Sequence, residues 1–161
     1  DAQLSRGLGD VYKRQLTNEE TKYVIGTDGQ KMSKSKNNII DIFLSEKMLK
    51  KQIMSIETDS TPLESPKNAE SCNVFKIYTL LGSPDQVKNL KIKYENGGFG
   101  YGHAKQELFE LILEKFKAER ERYDHLMSSK KEIDLILSEG AEKAMKTANE
   151  VMNRVRKKLG Y

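Results

Sequence analysis

The chain has 161 residues, room for one domain with a real core or for a small domain joined to part of another. Its 28 basic and 24 acidic side chains leave a formal net charge of +4, which permits phosphate-rich partners without demanding them. Charged residues at 32%, aromatics at 7% and no Trp mark a helical, soluble protein, while a single Cys excludes a disulfide framework.

In chain order, residues 1–15 lack periodicity and close on Lys13-Arg14-Gln15. They read as a non-native leader or as a disordered native terminus, and fold reasoning sets them aside. Sequence of regular character begins near Leu16. Residues 21–25 read as a short strand whose end, Tyr23-Val24-Ile25, is apolar enough to be buried. Gly26 and Gly29 flank Asp28 and mark a turn where the backbone can take positive φ. Then comes Lys31-Met32-Ser33-Lys34-Ser35, two ammonium groups and two hydroxyls within five residues, with Lys36 beside them. Lysine charge is compact and its stem can follow a moving group, so such a loop suits a polyphosphate that gains charge during reaction. The plain alternative is a solvated surface turn. The spacing of Gly26 and Gly29 does not fit the other phosphate loop, Gly-x-x-x-x-Gly-Lys-Ser/Thr.

Residues 37–44 read as a turn with an apolar anchor, and Ser45 as the N-cap of a helix over 46–55. Residues 58–66, rich in Thr, Ser and Pro, form a loop holding Thr58-Asp59-Ser60. A helix over 73–81 carries Val74, Ile77, Tyr78 and Leu81 on one stripe, with Gly82 closing it. Ser83-Pro84-Asp85-Gln86 starts the next, over 84–94, with a Ser cap, Pro at the first position and Gln at the third. The aromatics of Gly97-Gly98-Phe99-Gly100-Tyr101-Gly102 argue for a loop pinned on neighbouring helices rather than a free linker. A long helix over 103–126 places Phe109, Ile112, Leu113, Phe116 and Tyr123 on its buried stripe. Ser129 with Glu132 reads as a capping box for a short helix stopping at Gly140. A last helix over 141–159 presents Ala141, Ala144, Met145, Ala148, Met152, Val155 and Leu159 on one face. Arg154, Arg156, Lys157 and Lys158 at its end fit dipole compensation better than an RNA site. No repeat is evident. Two histidines and Cys72 do not assemble a metal site, and a reducing compartment is the default.

The loop resembles the lysine-serine signature of class I aminoacyl-tRNA synthetases at all five positions, Lys31 to Ser35. Further runs resemble the bacterial tryptophanyl branch of that class: residues 50–55, Thr58-Asp59-Ser60, residues 98–105 and residues 139–144. The resemblance covers roughly residues 23–161. It implies a mainly α chain: a remnant of a Rossmann-like α/β catalytic domain over 16–58, then an α-helical bundle of about five helices, the anticodon-binding domain, over 59–161. It further implies ATP-dependent activation of L-tryptophan, with Mg2+ accompanying ATP, and transfer to tRNA(Trp). A cytoplasmic homodimer with no membrane association and no protein-bound metal is expected. Lys31 and Lys34 would neutralise charge as the α-phosphate is attacked, Lys34 with the larger effect. Ser33 and Ser35 would support the triphosphate, and Met32 completes the ATP-binding run. Two departures stand out. The family's first motif, His-Ile-Gly-His or a variant, is absent, so the chain is expected to be a C-terminal part that is inactive alone. Lys36 stands where many relatives carry an aromatic or acidic residue. If the helical part docks on tRNA, Lys105, Arg120 or Lys146 are expected among its phosphate contacts; a non-catalytic helical tRNA- or RNA-binding module is the alternative.

Overall fold

The computed structural model describes residues 24–160. The leader reading, the boundary near Leu16 and most of the expected strand lie outside these residues. What is described of that strand is one antiparallel bridge, Ile25 to Lys31, so a tight hairpin stands where a strand end was expected. A 3-10 turn at Lys34–Lys36 follows, then six α-helices among the described residues: α1 (Glu46–Met54), α2 (Asn73–Leu81), α3 (Pro84–Glu95), α4 (Tyr101–Lys115), α5 (Lys117–Ser128) and α6 (Lys130–Leu159). The chain divides into two compact units, Asp1–Leu113 and Glu114–Tyr161.

In the first unit the expected starts and stops of α1, α2 and α3 hold to within a residue. Their causes are local. At α3 the Gln86 amide donates to Ser83 Oγ (3.3 Å), and the Ser83 amide donates to Gln86 Oε1 (2.8 Å). Two caps differ from expectation. Ser45 precedes α1 but its side chain makes no capping bond. Gly82 ends α2 in extended rather than left-handed backbone, donating its amide to the Tyr78 carbonyl at 2.8 Å.

The core of this unit is made of Leu49 and Ile53 of α1, Val74, Ile77 and Tyr78 of α2, Leu90 and Tyr94 of α3, and Ala104, Leu108 and Ile112 of α4. Tyr94, wholly buried, is ringed by aromatics. Phe75, Phe99 and Tyr101 lie 5.9, 6.0 and 6.0 Å from it, Tyr101 edge-on. The glycine-rich segment before α4 is thereby pinned as expected. Gly97 has φ +71, and a Cβ there would stand 2.5 Å from the Glu64 carbonyl oxygen, so only glycine fits beside the 58–66 loop.

The expected long helix over 103–126 is two helices. Phe116, with φ −104 and ψ 21, interrupts it, and neither Gly nor Pro marks the break. Its buried face also differs: Ala104, Leu108 and Leu111 are buried with Phe109 and Ile112, whereas Tyr123 is exposed.

In the second unit the opposite error occurs. Residues 130–159 form one helix, and Gly140 lies inside it instead of ending it. The Ser129 box does not form either. Glu132 donates its amide to the Ser129 carbonyl, while its carboxylate is drawn to Arg122 (3.0 Å) and His125 (3.4 Å). No residue of α5 or α6 is buried, and Met145, Met152, Val155 and Leu159 of the expected apolar face are exposed. Arg156, Lys157 and Lys158 occupy the last turn of α6, where the helix dipole favours cations. Among the described residues, no helix is long and apolar enough to cross a membrane.

Candidate functional site

The lysine-serine loop is built on the tight hairpin of the first unit. The Met32 amide donates to the Val24 carbonyl (2.8 Å), and the Gly26 amide to the Gln30 carbonyl (2.7 Å). Between these arms the Gly29 amide closes a turn onto the Gly26 carbonyl at 3.1 Å. Gly29 takes φ +73, and a Cβ there would lie 2.5 Å from the Asn73 side chain. Asp28 folds its carboxylate back onto the Gln30 amide at 3.0 Å, the local bond that makes Asp common in turns.

Past the hairpin, Ser33 leads into the 3-10 turn, which Asn37 ends in left-handed backbone at φ 54. Asn tolerates that conformation better than most side chains. The chain then returns, and Asn38 enters the middle of the loop with only 2% of its surface exposed. Its Oδ1 accepts from the Ser33 amide (2.8 Å), and its Nδ2 donates to Asp28 Oδ1 (2.7 Å) and to the Lys31 carbonyl (3.2 Å). Its carbonyl accepts from the Thr27 amide at 3.0 Å. The bond from Asn38, with that from the Gln30 amide, holds the Asp28 carboxyl below the usual carboxylate range.

On this frame stand the five signature residues. Ser33 Oγ and Ser35 Oγ lie 2.9 Å apart, within hydrogen-bonding distance. Lys31 and Lys34 are exposed, and among the described residues neither ammonium has an ionic partner. Met32 is half-buried. Lys36 has a different task, its Nζ donating to Gln30 Oε1 (2.7 Å) and bracing the two arms of the loop. The structure therefore carries the two exposed lysines and the two hydroxyls on the hairpin arm and the 3-10 turn that follows it. Such an arrangement offers two exposed cations and a bonded hydroxyl pair with one O–H hydrogen still free to an anion with several oxygens.

Sequence reasoning passed over Asn38. The signal was present in the Asn37-Asn38 pair, which can take up left-handed backbone and satisfy amides at once. Among the three basic residues expected to contact RNA phosphates, Lys105 is committed elsewhere. Its half-buried Nζ donates to the Met54 carbonyl at the C-terminus of α1 (3.0 Å), and burial lowers its pKa. Lys146 is exposed on α6. Arg120 is half-buried within α5.

A model of the class I tRNA synthetases (W and Y) matches residues 9–117. The chain is 53% identical over 143 residues to the tryptophan–tRNA ligase of Campylobacter jejuni, an alignment covering 89% of this chain and 45% of that protein. It is 46% identical over 142 residues to the tryptophan–tRNA ligase of Fusobacterium nucleatum, covering 88% and 43%. Among solved structures, the Campylobacter jejuni tryptophanyl-tRNA synthetase complexed with ADP and tryptophan matches with a TM-score of 0.85 at 53% identity, covering 89% of this chain and 45% of that one. The chain thus spans less than half the length of these relatives.

Proposed function

This chain belongs to the class I tRNA synthetases (W and Y), and from that premise we propose that it supplies the phosphate loop and helical part of a tryptophan–tRNA ligase. The observation that supports the reading is the loop itself, two exposed ammonium groups without an ionic partner among the described residues and a pair of hydrogen-bonded hydroxyls on a clipped hairpin. The identity to tryptophan–tRNA ligases supports tryptophan over tyrosine as the amino acid.

The reaction joins the tryptophan carboxylate to the α-phosphate of ATP, expelling pyrophosphate, and passes the aminoacyl group to the 3′ end of tRNA(Trp). Negative charge moves onto the departing pyrophosphate as the α-phosphate is attacked. Lys34 and Lys31 meet that charge with their ammonium groups, Lys34 carrying the larger share, and the Ser33–Ser35 hydroxyl pair supports the triphosphate with the O–H hydrogen not spent between them. Met32, half-buried, anchors the run between them. Mg2+ arrives with ATP as part of the substrate. Residues 16–58 act as part of the catalytic domain and residues 59–161 as the helical domain that reads the anticodon, in a cytoplasmic homodimer.

The test is Lys34→Ala in a complete ligase carrying this sequence. Removing one preorganised charge donor should slow adenylate formation roughly 10²–10³-fold, with tryptophan affinity little changed. Pre-steady-state adenylate formation is the measurement, and an unchanged rate would reduce the lysine to a surface residue. A partner test titrates matched and anticodon-swapped transcripts, where a preference for CCA supports tRNA(Trp) recognition. Equal affinity for both transcripts would leave generic, salt-dependent RNA binding instead.

A further inference from the structure

The geometry points to Asn38 as a positioning residue for the phosphate loop, a role that deepens the ligase reading and rests on it. Asn38 is one of two polar or charged residues buried in the described chain, the other being Lys67. Its side chain ties together three points of the loop that lie 5, 7 and 10 residues away in sequence. The orientation of its amide is dictated by chemistry. The Ser33 amide can only donate and the Asp28 carboxylate can only accept, so Oδ1 must face Ser33 and Nδ2 must face Asp28. The two ends of the Lys31-Met32-Ser33 run, the Lys31 carbonyl and the Ser33 amide, are thereby held by one planar group. That fixes the direction in which Lys31 leaves the hairpin and the point at which the 3-10 turn bearing Lys34 begins.

Gly26 completes the clip. A Cβ there would stand 2.3 Å from the Asn38 carbonyl oxygen and 2.5 Å from its side chain, so the glycine exists to let Asn38 in. Asn38 touches none of the reacting atoms in this account. It acts through Lys31, Ser33 and Lys34, whose value in the transition state depends on their being aimed before the charge moves.

The experiment is a double-mutant comparison in the complete ligase, with rates counted per active site from the adenylate burst. Asn38→Asp keeps the shape and the acceptor for the Ser33 amide, but sets a second carboxylate against Asp28 and a lone pair against the Lys31 carbonyl. It should slow adenylate formation roughly 10–100-fold, the scale expected of a small misplacement, with the KM for tryptophan unchanged. Combining it with Asp28→Asn removes one of the two facing carboxylates and with it the charge repulsion, but the Asp28 Oδ1 position, which meets both the Gln30 amide and Asn38, can then serve only one of them. The double variant should therefore recover part of the lost rate. Asn38→Asp as fast as the parent would overturn the positioning role. Thermal melting of both variants checks that the loss is not one of folding, and equal melting with unequal rates supports the role. Lys34→Ala in the same preparation separates the two readings. If it too leaves the rate unchanged, the ligase reading of the loop falls and takes this inference with it. If it slows the rate while Asn38→Asp does not, the inference alone falls.

Discussion

Among the described residues the Lys67 ammonium is buried without a carboxylate at contact distance, and its three hydrogen bonds there all end on carbonyls of the 58–66 loop: Pro62 (3.1 Å), Leu63 (3.2 Å) and Ser65 (3.3 Å). The ring of Tyr101 lies beneath it, 5.4 Å from ammonium to centroid. A buried charge persists only where dipoles replace water, and here the loop wraps the charge to supply them. Lys67→Met should therefore cost about 1–3 kcal/mol, because acceptors arranged for a donor lose it. Urea denaturation of the 161-residue chain measures this, and an unchanged midpoint would mean the carbonyls are satisfied without the lysine. Tyr101 supplies the second face of the same contact. Its hydroxyl donates to Asp59 Oδ1 at 2.7 Å, and burial, then that bond, push its pKa from 10.0 up to about 12. Burial raises Tyr94 as well, with help from its contact to Cys72. A tyrosine with a raised pKa in the folded state contributes stability that is complete below the unfolded value of 10.0 and lost as pH climbs through the folded one. The melting temperature should therefore fall between about pH 10 and pH 12, and less steeply in Tyr101→Phe; an equally steep fall in that variant would remove Tyr101 as its cause. Neither Lys67 nor Asn38 stood out in the sequence. Both are polar residues whose importance lies in burial, and burial is set by chain that returns from elsewhere.

At the scale of elements, what was legible depended on how local the cause is. The Ser83 box is complete within four consecutive residues, and it forms as its spacing implies. The Ser129 box has the same spacing but fails, because Arg122 and His125 of α5 compete for the Glu132 carboxylate. Glycine was read as a stop at position 140, yet a lone Gly with helix formers on both sides interrupts nothing. The break at Phe116 has no Gly or Pro to signal it, so periodicity ran straight through it. Gly140 and Gly29 give a matched test of these distinctions. Around Gly140 a new Cβ meets nothing within 4 Å, so Gly140→Ala should stabilise α6 by about 0.5–1 kcal/mol through reduced backbone freedom in the unfolded chain. Gly29 sits at φ +73 against Asn73, so Gly29→Ala should destabilise by about 1–2 kcal/mol for the left-handed backbone alone. Circular dichroism melts of the two variants should shift in opposite directions. A stabilising shift in Gly29→Ala would show that the φ of Gly29 is relaxed in solution, and a destabilising one in Gly140→Ala that its surroundings are not open.

At the scale of the whole molecule, the two units differ in how they are held. The buried side chains lie in the first unit, in α1 through α4 and the loops between them, whereas α5 and α6 bury none. The apolar face of α6 was legible as periodicity, and the helix does form. Periodicity reports amphipathic character but not what covers it, so the exposure of this face was not legible in the sequence. The consequence is a gradient of stability along the chain. Helices whose amides sit over a packed core open only with that core, while an exposed helix frays on its own. Hydrogen exchange on the 161-residue chain should then show the slowest amides around Val74, Ile77, Leu90, Tyr94, Leu108 and Ile112. Amides over residues 130–159 should exchange earlier and lose protection at lower urea. Uniform protection across α2 to α6, released in one transition, would contradict this and would mean that the α6 face is covered in solution. The lysine-serine loop falls between these limits, since Asn38 ties it internally and the Glu57 amide ties its Thr27 carbonyl (2.8 Å). The Ser33 and Thr27 amides, both bonded to Asn38, should therefore be slower than those of Lys34 and Ser35 on the 3-10 turn. That contrast separates a loop whose base is fixed and whose lysines move from one that is mobile throughout.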